Sequence, residues 1–339
     1  MMQPKGLLRY NCFLLNFRRI LIMKIYAIDW ATKKDLAITK DGQKVKFIPA
    51  TIEGFSKLLN SLDGDKYKFY FEEGGGDSFK LLAKRNEHKV FTIPGKIIND
   101  KREESGIEKN DENDVKVIFD MVENDPESFR EFALLDIITV KICVLFKIRS
   151  DTEQNLFRAK NRLFSLNKRL ELLNLGKDKQ KLIKKEKEVI ENLESKFKLQ
   201  TNSLGKLVEK HSLWNDYLKN EKGIGAVVAS GLIAGIKRAS RFENKYSLRH
   251  YAGMVKKKND QAFNHNLKRT LYFFIEGIIK ARTPGWRDLY DNMKAYYQEK
   301  HSDWKKGKID NYARKFVQTK FLDGLYEKMV EVENVNKRM

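Results

Sequence analysis

The chain is predicted to fold as an α/β domain on a mixed sheet, followed by a helical segment and a mainly α-helical C-terminal domain. Short apolar or alternating stretches bounded by Gly, Pro and Asp fill the first third of the 339 residues, which is typical of strands. From about residue 140, apolar residues recur at three- and four-residue steps among Lys and Glu, which indicates helices. Basic and acidic residues number 23 each up to residue 140, but 44 and 23 beyond it. Pattern and charge therefore both change near residue 140.

The first three strands and the first helix are predicted from local patterns. Residues 24–31 form the apolar run of a buried strand, and Asp29 is the lone acid inside it. Asp41-Gly42 lies between two further strand-like runs and predicts a hairpin, because a type I′ turn needs positive φ at both central residues. Residues 51–62 carry apolar side chains at helical spacing.

The fourth strand ends in an acidic pair and a glycine run. Residues 67–71 alternate and are followed by Glu72 and Glu73, then by three glycines, where a backbone can approach a ligand closely. A helix is expected from about Asp77. Residues 89–93 form the fifth strand, which Pro94-Gly95 ends.

A charged loop is expected after the fifth strand, and the next helix opens with Asp111 and Asp114. These two acids are three residues apart, so they share one helix face. The resulting order of elements, β-β-β-α-β-α-β-α, is that of a ribonuclease-H-like domain.

Four acids fall on the elements where a two-metal nuclease needs them. They are Asp29, Glu72, Asp111 and Asp114. Two divalent ions on one phosphate require acidic oxygens that converge from separate elements, and an open sheet brings strand ends together. Taken singly, each acid is more typical of a helix cap or a solvated strand end. Taken jointly, they predict a metal site, with Glu73 and Asp77 as substitutes for Glu72.

The C-terminal part contains a glycine turn and a basic stretch that are typical of phosphate binding. Gly223-Ile224-Gly225 before an apolar helix is a helix-hairpin-helix signature, in which backbone N–H groups meet a phosphate. The candidate phosphate contacts that follow are Lys256, Lys257, Lys258, His265, Lys268 and Arg269. An ordinary Gly-x-Gly turn and an ordinary basic loop remain the alternatives. Aromatic residues of the last helices are expected to fill a core more often than to stack on bases.

Between these parts, residues 141–212 predict two helices with a turn near Gly176. An antiparallel coiled-coil hairpin would be a spacer or a dimer contact. The alternative is a pair of helices that pack onto their own domain. Sequence favours dimerisation only weakly.

The chain resembles the IS110 family of transposases in six stretches. Tyr26-Ala27-Ile28-Asp29, Phe71-Glu72-Glu73-Gly74-Gly75 and Lys109-Asn110-Asp111-Glu112-Asn113-Asp114-Val115 match the family's nuclease motifs, and Gly223-Ile224-Gly225, Arg241-Phe242 and Tyr251-Ala252-Gly253 match its C-terminal domain. The resemblance implies a RuvC-like domain that binds two Mg²⁺ ions, with Mn²⁺ as a substitute, at Asp29, Glu72, Asp111 and Asp114. It also implies DNA element ends and target DNA as partners, a structured guide RNA, and a homo-oligomer, either a dimer or a tetramer.

One departure from the family is large. The loop after Tyr251-Ala252-Gly253 holds no serine, although the family's attacking serine lies there. The role is not transferred to Ser230, Ser240 or Ser247, so the nucleophile is unknown. The leading function is a transposase or DNA recombinase. The alternatives are a structure-selective nuclease that acts by water attack and a catalytically decayed nucleic-acid-binding protein.

Composition fits a protein without a membrane segment. No apolar run is long enough to span a bilayer, and Cys12 and Cys143 fit no disulfide or metal framework. We expect a cytoplasmic, nucleoid-associated protein. Residues 1–22 are expected to be an upstream extension before a start at Met23, or an amphipathic basic arm. The predicted domains are 23–140 for the nuclease, 141–212 for the helical segment and 213–335 for the C-terminal domain.

Overall fold

The computed structural model describes residues 24–30, 35–62, 64, 66–172, 176–255 and 263–338. The predicted extension 1–22, the start at Met23 and the three lysines 256–258 lie outside these residues. The chain divides into two compact units, Met1–Ala133 and Leu134–Met339. The boundary between the two units, after Ala133, lies a few residues before the predicted boundary at 140. The predicted segments 141–212 and 213–335 both lie in the second unit.

The first unit is built on a six-stranded mixed sheet in the order β3-β2-β1-β4-β5-β6. The strands are β1 (Lys24–Asp29), β2 (Leu36–Thr39), β3 (Val45–Ile48), β4 (Tyr67–Glu72), β5 (Lys89–Ile93) and β6 (Arg130–Glu131). Strand β1 pairs parallel to β4 and β4 parallel to β5, whereas β2, β3 and β6 run antiparallel to their neighbours. The predicted mixed α/β sheet is confirmed.

Among the described residues of this unit, four helices are present: α1 (Ile52–Asn60), α2 (Asp77–Arg85), α3 (Gly95–Glu104) and α4 (Asp111–Asn124). The charged loop predicted after β5 is wrong, because α3 fills most of it. Its apolar positions are few, but Ile98 and Arg102 share a face at i,i+4 spacing and are both buried. Strand β6 was not predicted either, since two residues carry no periodic signal.

Strand alternation divides the side chains of the sheet between two faces. On one face Phe55 of α1 contacts the rings of Phe69 and Phe71 of β4. On the other face Ala27 and Tyr70 pack with the buried residues of α4, among them Val115 and Ile118. Because side chains two apart in a strand point the same way, Asp29 follows Ala27, and Glu72 follows Tyr70, to the face that α4 covers.

The second unit is helical, as predicted. Its helices are α5 (Leu134–Leu172), α6 (Gly176–Val208), α7 (Ser212–Asp216), α8 (Ala226–Ile236), α9 (Lys245–Tyr251), α10 (His265–Ala281), α11 (Trp286–Lys300) and α12 (Lys306–Arg338). Contacts of Arg149 with Thr201, Lys160 with Glu194 and Arg162 with Glu186 make α5 and α6 antiparallel. The second of these helices begins at Gly176, where the turn was expected.

The core of the second unit surrounds α8. Ala229, Leu232, Ile233 and Ile236 of this helix are fully buried. Gly231 allows the close packing, because a Cβ there would lie 3.2 Å from the ring of Phe146 of α5 and would collide with Thr270 of α10. Of the closing aromatics, Tyr290 is buried and Trp286 and Tyr297 pack against the core, as predicted, whereas Tyr296 and Tyr312 are exposed. Trp304 stacks on His301 with ring centroids 3.9 Å apart and carries the Lys308 ammonium 3.9 Å from its centroid.

Candidate functional site

The four predicted acids lie close together. Asp29 and Glu72 are at the ends of β1 and β4, and Asp111 and Asp114 are in the first turn of α4. Asp29 is only 7 % exposed. Burial, followed by the charges of the neighbouring carboxylates Glu72, Asp114 and Asp111, raises the pKa of Asp29 from 3.8 to about 7. Burial and Asp114 likewise raise the pKa of Glu72, against the opposing charges of Lys80, Lys109 and Arg102. Carboxylates whose pKa is raised by burial and by one another's charge are candidates for a functional site.

Asp111 and Asp114 reach this position because of the start of α4. Asn110 is the N-cap, and its side-chain Oδ1 accepts a hydrogen bond of 2.8 Å from the Asn113 amide. One alternative for Asp111 was that it only caps the helix. Asn110 is the residue that caps it. Asp111 occupies the first helical turn, one turn before Asp114 on the same side.

Glu73 does not substitute for Glu72. It points to the opposite side of β4, where Arg130 donates a 2.5 Å hydrogen bond to its Oε1. Thr92 donates to the same oxygen at 3.4 Å. Asp77 lies 3.8 Å from the Lys80 ammonium. Strand alternation therefore selects Glu72 from the acidic pair.

Two residues of this site were missed at the sequence level. Lys80 is buried, and its ammonium donates to the carbonyl oxygens of Glu72 at 2.9 Å and Gly75 at 2.6 Å, which fixes the glycine turn after β4. Arg102 is buried, and its guanidinium donates to Asp114 Oδ1 at 2.6 Å and to Asn99 Oδ1 at 2.8 Å. The signal for Arg102 was its i,i+4 relation to Ile98. No pattern distinguishes Lys80 from the chain's many other lysines.

Gly95 leaves room for Glu72. A Cβ at this first residue of α3 would collide with Glu72 Oε1. The backbone of α3 therefore passes directly beside the carboxylate, which only a glycine permits. The Pro94-Gly95 pair, predicted as a strand terminator, is also part of the site.

The donor chemistry of the acids suits a hard divalent cation, because Mg²⁺ prefers carboxylate oxygens. Within the described part of the chain, however, no three Asp, Glu, His or Cys side chains are arranged closely enough to enclose an ion. Arg102 holds one oxygen of Asp114. A bound ion would therefore use the other Asp114 oxygen or replace the Arg102 guanidinium. The oxygen donors suit such an ion chemically, and the acidic side chains would have to move closer together to enclose it.

In the second unit the predicted glycines have different roles. Gly223 has a φ of +95°, and a Cβ there would lie 3.3 Å from the backbone of Gly277 in α10, so its need for glycine is structural. Gly225 is the N-cap of α8 and has open space around it. Only Gly225 leaves a helix N-terminus accessible to an anion.

The predicted basic residues of α10 lie at its start. His265 is exposed and lies 4.3 Å from the ring of Phe263, measured between centroids. The Lys268 ammonium lies 4.5 Å from the same ring. Arg269 instead pairs with Glu153 of α5 at 3.2 Å. His265 and Lys268 thus form one small basic and aromatic cluster, and Arg269 belongs to another.

The serines that precede residues 256–262 all form hydrogen bonds within the second unit. Ser230 is fully buried in α8 and donates to the Val227 carbonyl at 2.7 Å. Ser247 donates to Asn244 at 3.4 Å. The backbone amide of Ser240 donates to Glu333 at 3.2 Å. Ser230 is inaccessible to a DNA phosphate.

Residues 215–291 match the model of the Transposase IS116/IS110/IS902 family. This stretch contains α8, α9, α10 and the glycine turn. The match lies within the second unit and supports a transposase or recombinase function for the chain. No helix within the described residues is both long and apolar enough to cross a membrane.

The other comparisons add little. No curated protein matches the chain. A solved structure, Enterococcus italicus Csm6 bound to cyclic hexa-2'-fluoro-hexa-dAMP, is similar at 12 % identity over 80 % of this chain and 72 % of that one, with a TM-score of 0.14. A likeness that weak carries no argument.

Proposed function

We propose that the protein is a transposase that cleaves and transfers DNA strands with divalent metal in its first unit. The observation that carries this proposal is the proximity of Asp29 and Glu72, at the ends of β1 and β4, to Asp111 and Asp114 of α4; burial and the repulsion of these neighbours raise the pKa of Asp29 to about 7. The sheet order, with β1, β4 and β5 parallel, is the one expected for a ribonuclease-H-like domain of the RuvC type. The family match in the second unit supports the same activity.

Asp29, Glu72, Asp111 and Asp114 would hold Mg²⁺, which supplies charge neutralisation at the scissile phosphate and a more acidic attacking hydroxyl. Asp29 must lose its proton to become a ligand. Lys80 holds the turn that carries Glu72, and Gly95 keeps the space beside its carboxylate open. Until a cation binds to the acids, the Arg102 guanidinium neutralises the charge of Asp114.

The second unit supplies the nucleic-acid-binding surface. Residues 134–339 hold 44 basic and 24 acidic residues, whereas residues 1–133 hold 23 and 22. A basic surface binds phosphates by releasing their counterions, whatever the base sequence. Gly225, His265 and Lys268 are accessible for this role, and Lys256, Lys257 and Lys258 are its expected extension.

Element ends, target DNA and a structured guide RNA are the proposed partners. A homo-oligomer is the proposed assembly. The antiparallel hairpin of α5 and α6 exposes large apolar side chains, including Phe157 at 66 % and Phe164 at 64 % exposure, which a second copy would cover.

A hydrolytic nuclease is the second candidate, and the missing serine favours it. No serine lies between Met254 and Asn266, and Ser230 is buried in the core. Water attack at the acidic site requires no protein nucleophile. Covalent transfer requires one within reach of the phosphate.

Strand cleavage of element-end DNA tests the proposal. We expect cleavage that needs Mg²⁺ and is lost in Asp111→Ala combined with Asp114→Ala, but is kept in Asp120→Ala, an exposed acid on the same helix. A covalent protein–DNA adduct would identify transfer, and cleavage without an adduct would identify hydrolysis. Tight binding without cleavage by any form would contradict both.

A further inference from the structure

A cavity of about 220 Å³ lies in the second unit, between α5, α8 and α10. It is separate from the acidic site and is not part of the predicted phosphate contacts except for Arg269. Its lining residues are Phe146, Arg149, Ser150, Glu153, Val227, Val228, Asn266, Arg269, Thr270 and Phe273. Because a cavity of about 150 Å³ already holds a benzene ring, this one has room for a planar ring system of the size of a nucleobase.

The cavity carries an excess of positive charge. The Arg149 guanidinium is buried, and Glu153 lies 3.7 Å from it. The same carboxylate oxygen lies 3.2 Å from Arg269. Two guanidiniums thus share one carboxylate. Burial also lowers the pKa of Arg149, but an arginine remains charged at neutral pH. An anion near this rim would relieve the imbalance.

Arg149 is held rigidly, whereas Arg269 is available to a ligand. Arg149 donates to Thr201 Oγ1 at 3.0 Å and lies 4.3 Å from the centroid of the Phe197 ring, so α6 fixes its orientation. The Arg269 side chain is 44 % exposed and lies 5.2 Å from the centroid of the Phe273 ring. A preorganised inner cation and an exposed outer cation suit a ligand with an inner polar edge and an outer phosphate.

The remaining walls suit a flat aromatic ligand. Phe146, Val227, Val228 and Phe273 supply apolar surface, and Phe273 is 45 % exposed although a side chain of this type is usually buried. Asn266, Ser150 and Glu153 add hydrogen-bond donors and acceptors that match the edge of a base. Base stacking on an aromatic ring, combined with a guanidinium at the phosphate, is the general chemistry of single-strand binding.

We propose that this cavity receives one unstacked base of a single-stranded nucleic acid, with the adjoining phosphate on Arg269. The inference rests on the proposed function, because it requires that the protein binds nucleic acid. It adds a base-binding site within the transposase domain and assigns roles to Phe273, Asn266 and Arg149. Single-stranded DNA and single-stranded RNA offer the same base and phosphate, and the test separates them.

The test measures binding of the full chain to short fluorescent single strands of DNA and of RNA by anisotropy. We expect Phe273→Ala and Arg269→Gln each to raise the dissociation constant about tenfold for the preferred strand, as loss of one stacked base does. The matched controls are Tyr272→Ala, the adjacent exposed ring outside the cavity, and Lys280→Gln, an exposed charge on the same helix. Both controls are expected within about twofold of the unaltered protein.

Photo-crosslinking locates the base independently of any variant. A single strand with 5-iodouracil at each position in turn is irradiated with the protein, and the adducts are mapped by mass spectrometry. Adducts on Phe146 or Phe273 from one or a few positions support the proposal. Adducts confined to other parts of the chain overturn it.

Three further outcomes also overturn the inference, and they are distinguishable. If the unaltered protein binds single strands and Phe273→Ala binds as tightly as Tyr272→Ala, the cavity is not a base site, while the proposed function stands. If Phe273→Ala converts a dimer into a monomer without weakening binding, a second copy fills the cavity. If the unaltered protein binds neither DNA nor RNA, the nucleic-acid role in the proposed function fails as well.

Discussion

At the scale of single residues, the acidic site depends on which cations neutralise which acids. Glu73 is paired with Arg130, and Asp114 with Arg102, whereas no ion pair to Asp29 or Glu72 is among the contacts of the described residues. Burial is the main cause of the raised pKa values of Asp29 and Glu72, and repulsion by the neighbouring carboxylates adds to it. The acids that lack a cation are therefore the strongest candidates for metal ligands.

Asp29→Asn is expected to stabilise the protein at pH 8 in the absence of divalent metal. Since the pKa of Asp29 rises from 3.8 unfolded to about 7 folded, its protonated form favours folding below pH 4, and this stability is lost as pH rises through 7. The variant avoids that loss, by about 2 to 4 kcal/mol at pH 8 and much less at pH 5. Urea denaturation at both pH values measures the difference. An equal gain at both would show that Asp29 is not titrating between them.

Arg102→Met is expected to destabilise the metal-free protein by about 3 kcal/mol, because it leaves Asp114 as an uncompensated, mostly buried charge. Added Mg²⁺ should restore more stability in this variant than in the unaltered protein, since no guanidinium competes for Asp114. Thermal melts with and without Mg²⁺ measure both effects. Arg85→Met, an exposed arginine at the end of α2, is the control. An unchanged Mg²⁺ shift would argue against competition.

Burial of His211 gives the second unit an acid-sensitive position. Burial lowers the pKa of His211 to about 4, while Nδ1 accepts from the Leu213 amide at 3.2 Å and Nε2 lies 3.1 Å from Thr139 Oγ1. The neutral ring therefore favours folding above pH 6.5, and this stability is lost as pH falls towards 4. His211→Gln should flatten the acid side of the pH–stability curve. A curve with the same slope would contradict this.

At the scale of elements, the sequence was most informative where a strand had a clear period. The apolar run of β1 and the alternation of β4 indicated the strands that end in Asp29 and Glu72, and the hairpin, α1 and α4 were found near their observed bounds. Helix α3 was missed because its sequence is mostly charged and polar, with Ile97 and Ile98 as its main apolar residues. Its role in holding Asp114 and in passing beside Glu72 depends on tertiary packing, which a local pattern does not carry.

Gly95→Ala is expected to displace the Glu72 carboxylate and to abolish the stabilisation by Mg²⁺, with a stability loss of about 1 to 3 kcal/mol from overpacking. Gly307→Ala is the matched control, because nothing lies within 4 Å of a Cβ at that position. Thermal melts with a Mg²⁺ titration compare the two. A Gly95→Ala protein that keeps the full Mg²⁺ response would show that Glu72 is not a ligand.

At the scale of the whole molecule, the candidate acidic site and the excess of basic residues lie in different units. The acids lie in Met1–Ala133, and most of the net charge of +21 lies in Leu134–Met339. Composition predicted this division, and the match at residues 215–291 supports it. The cavity beside Arg149 could not be predicted from sequence, because its residues come from three helices that together span more than a hundred positions along the chain.

Nucleic-acid binding should therefore depend strongly on salt but little on the acids. Affinity should fall linearly with salt on logarithmic axes, because bound cations are released from the phosphates. Asp29→Asn should leave this slope unchanged, while Lys268→Gln should reduce it by about one. Anisotropy titrations over a range of KCl concentrations measure the slopes. A slope that changes with Asp29 but not with Lys268 would place the binding surface in the first unit.

The proposed function depends most directly on the binding of divalent metal by the four acids. Titration of the full chain with Mn²⁺, followed by electron paramagnetic resonance of the free ion, tests it without reference to any DNA substrate. The account predicts saturable binding of about two ions, lost when Asp29→Asn and Asp114→Asn are combined and retained in Asp120→Asn. Equal binding by all three proteins, or no saturable binding by any, would contradict it.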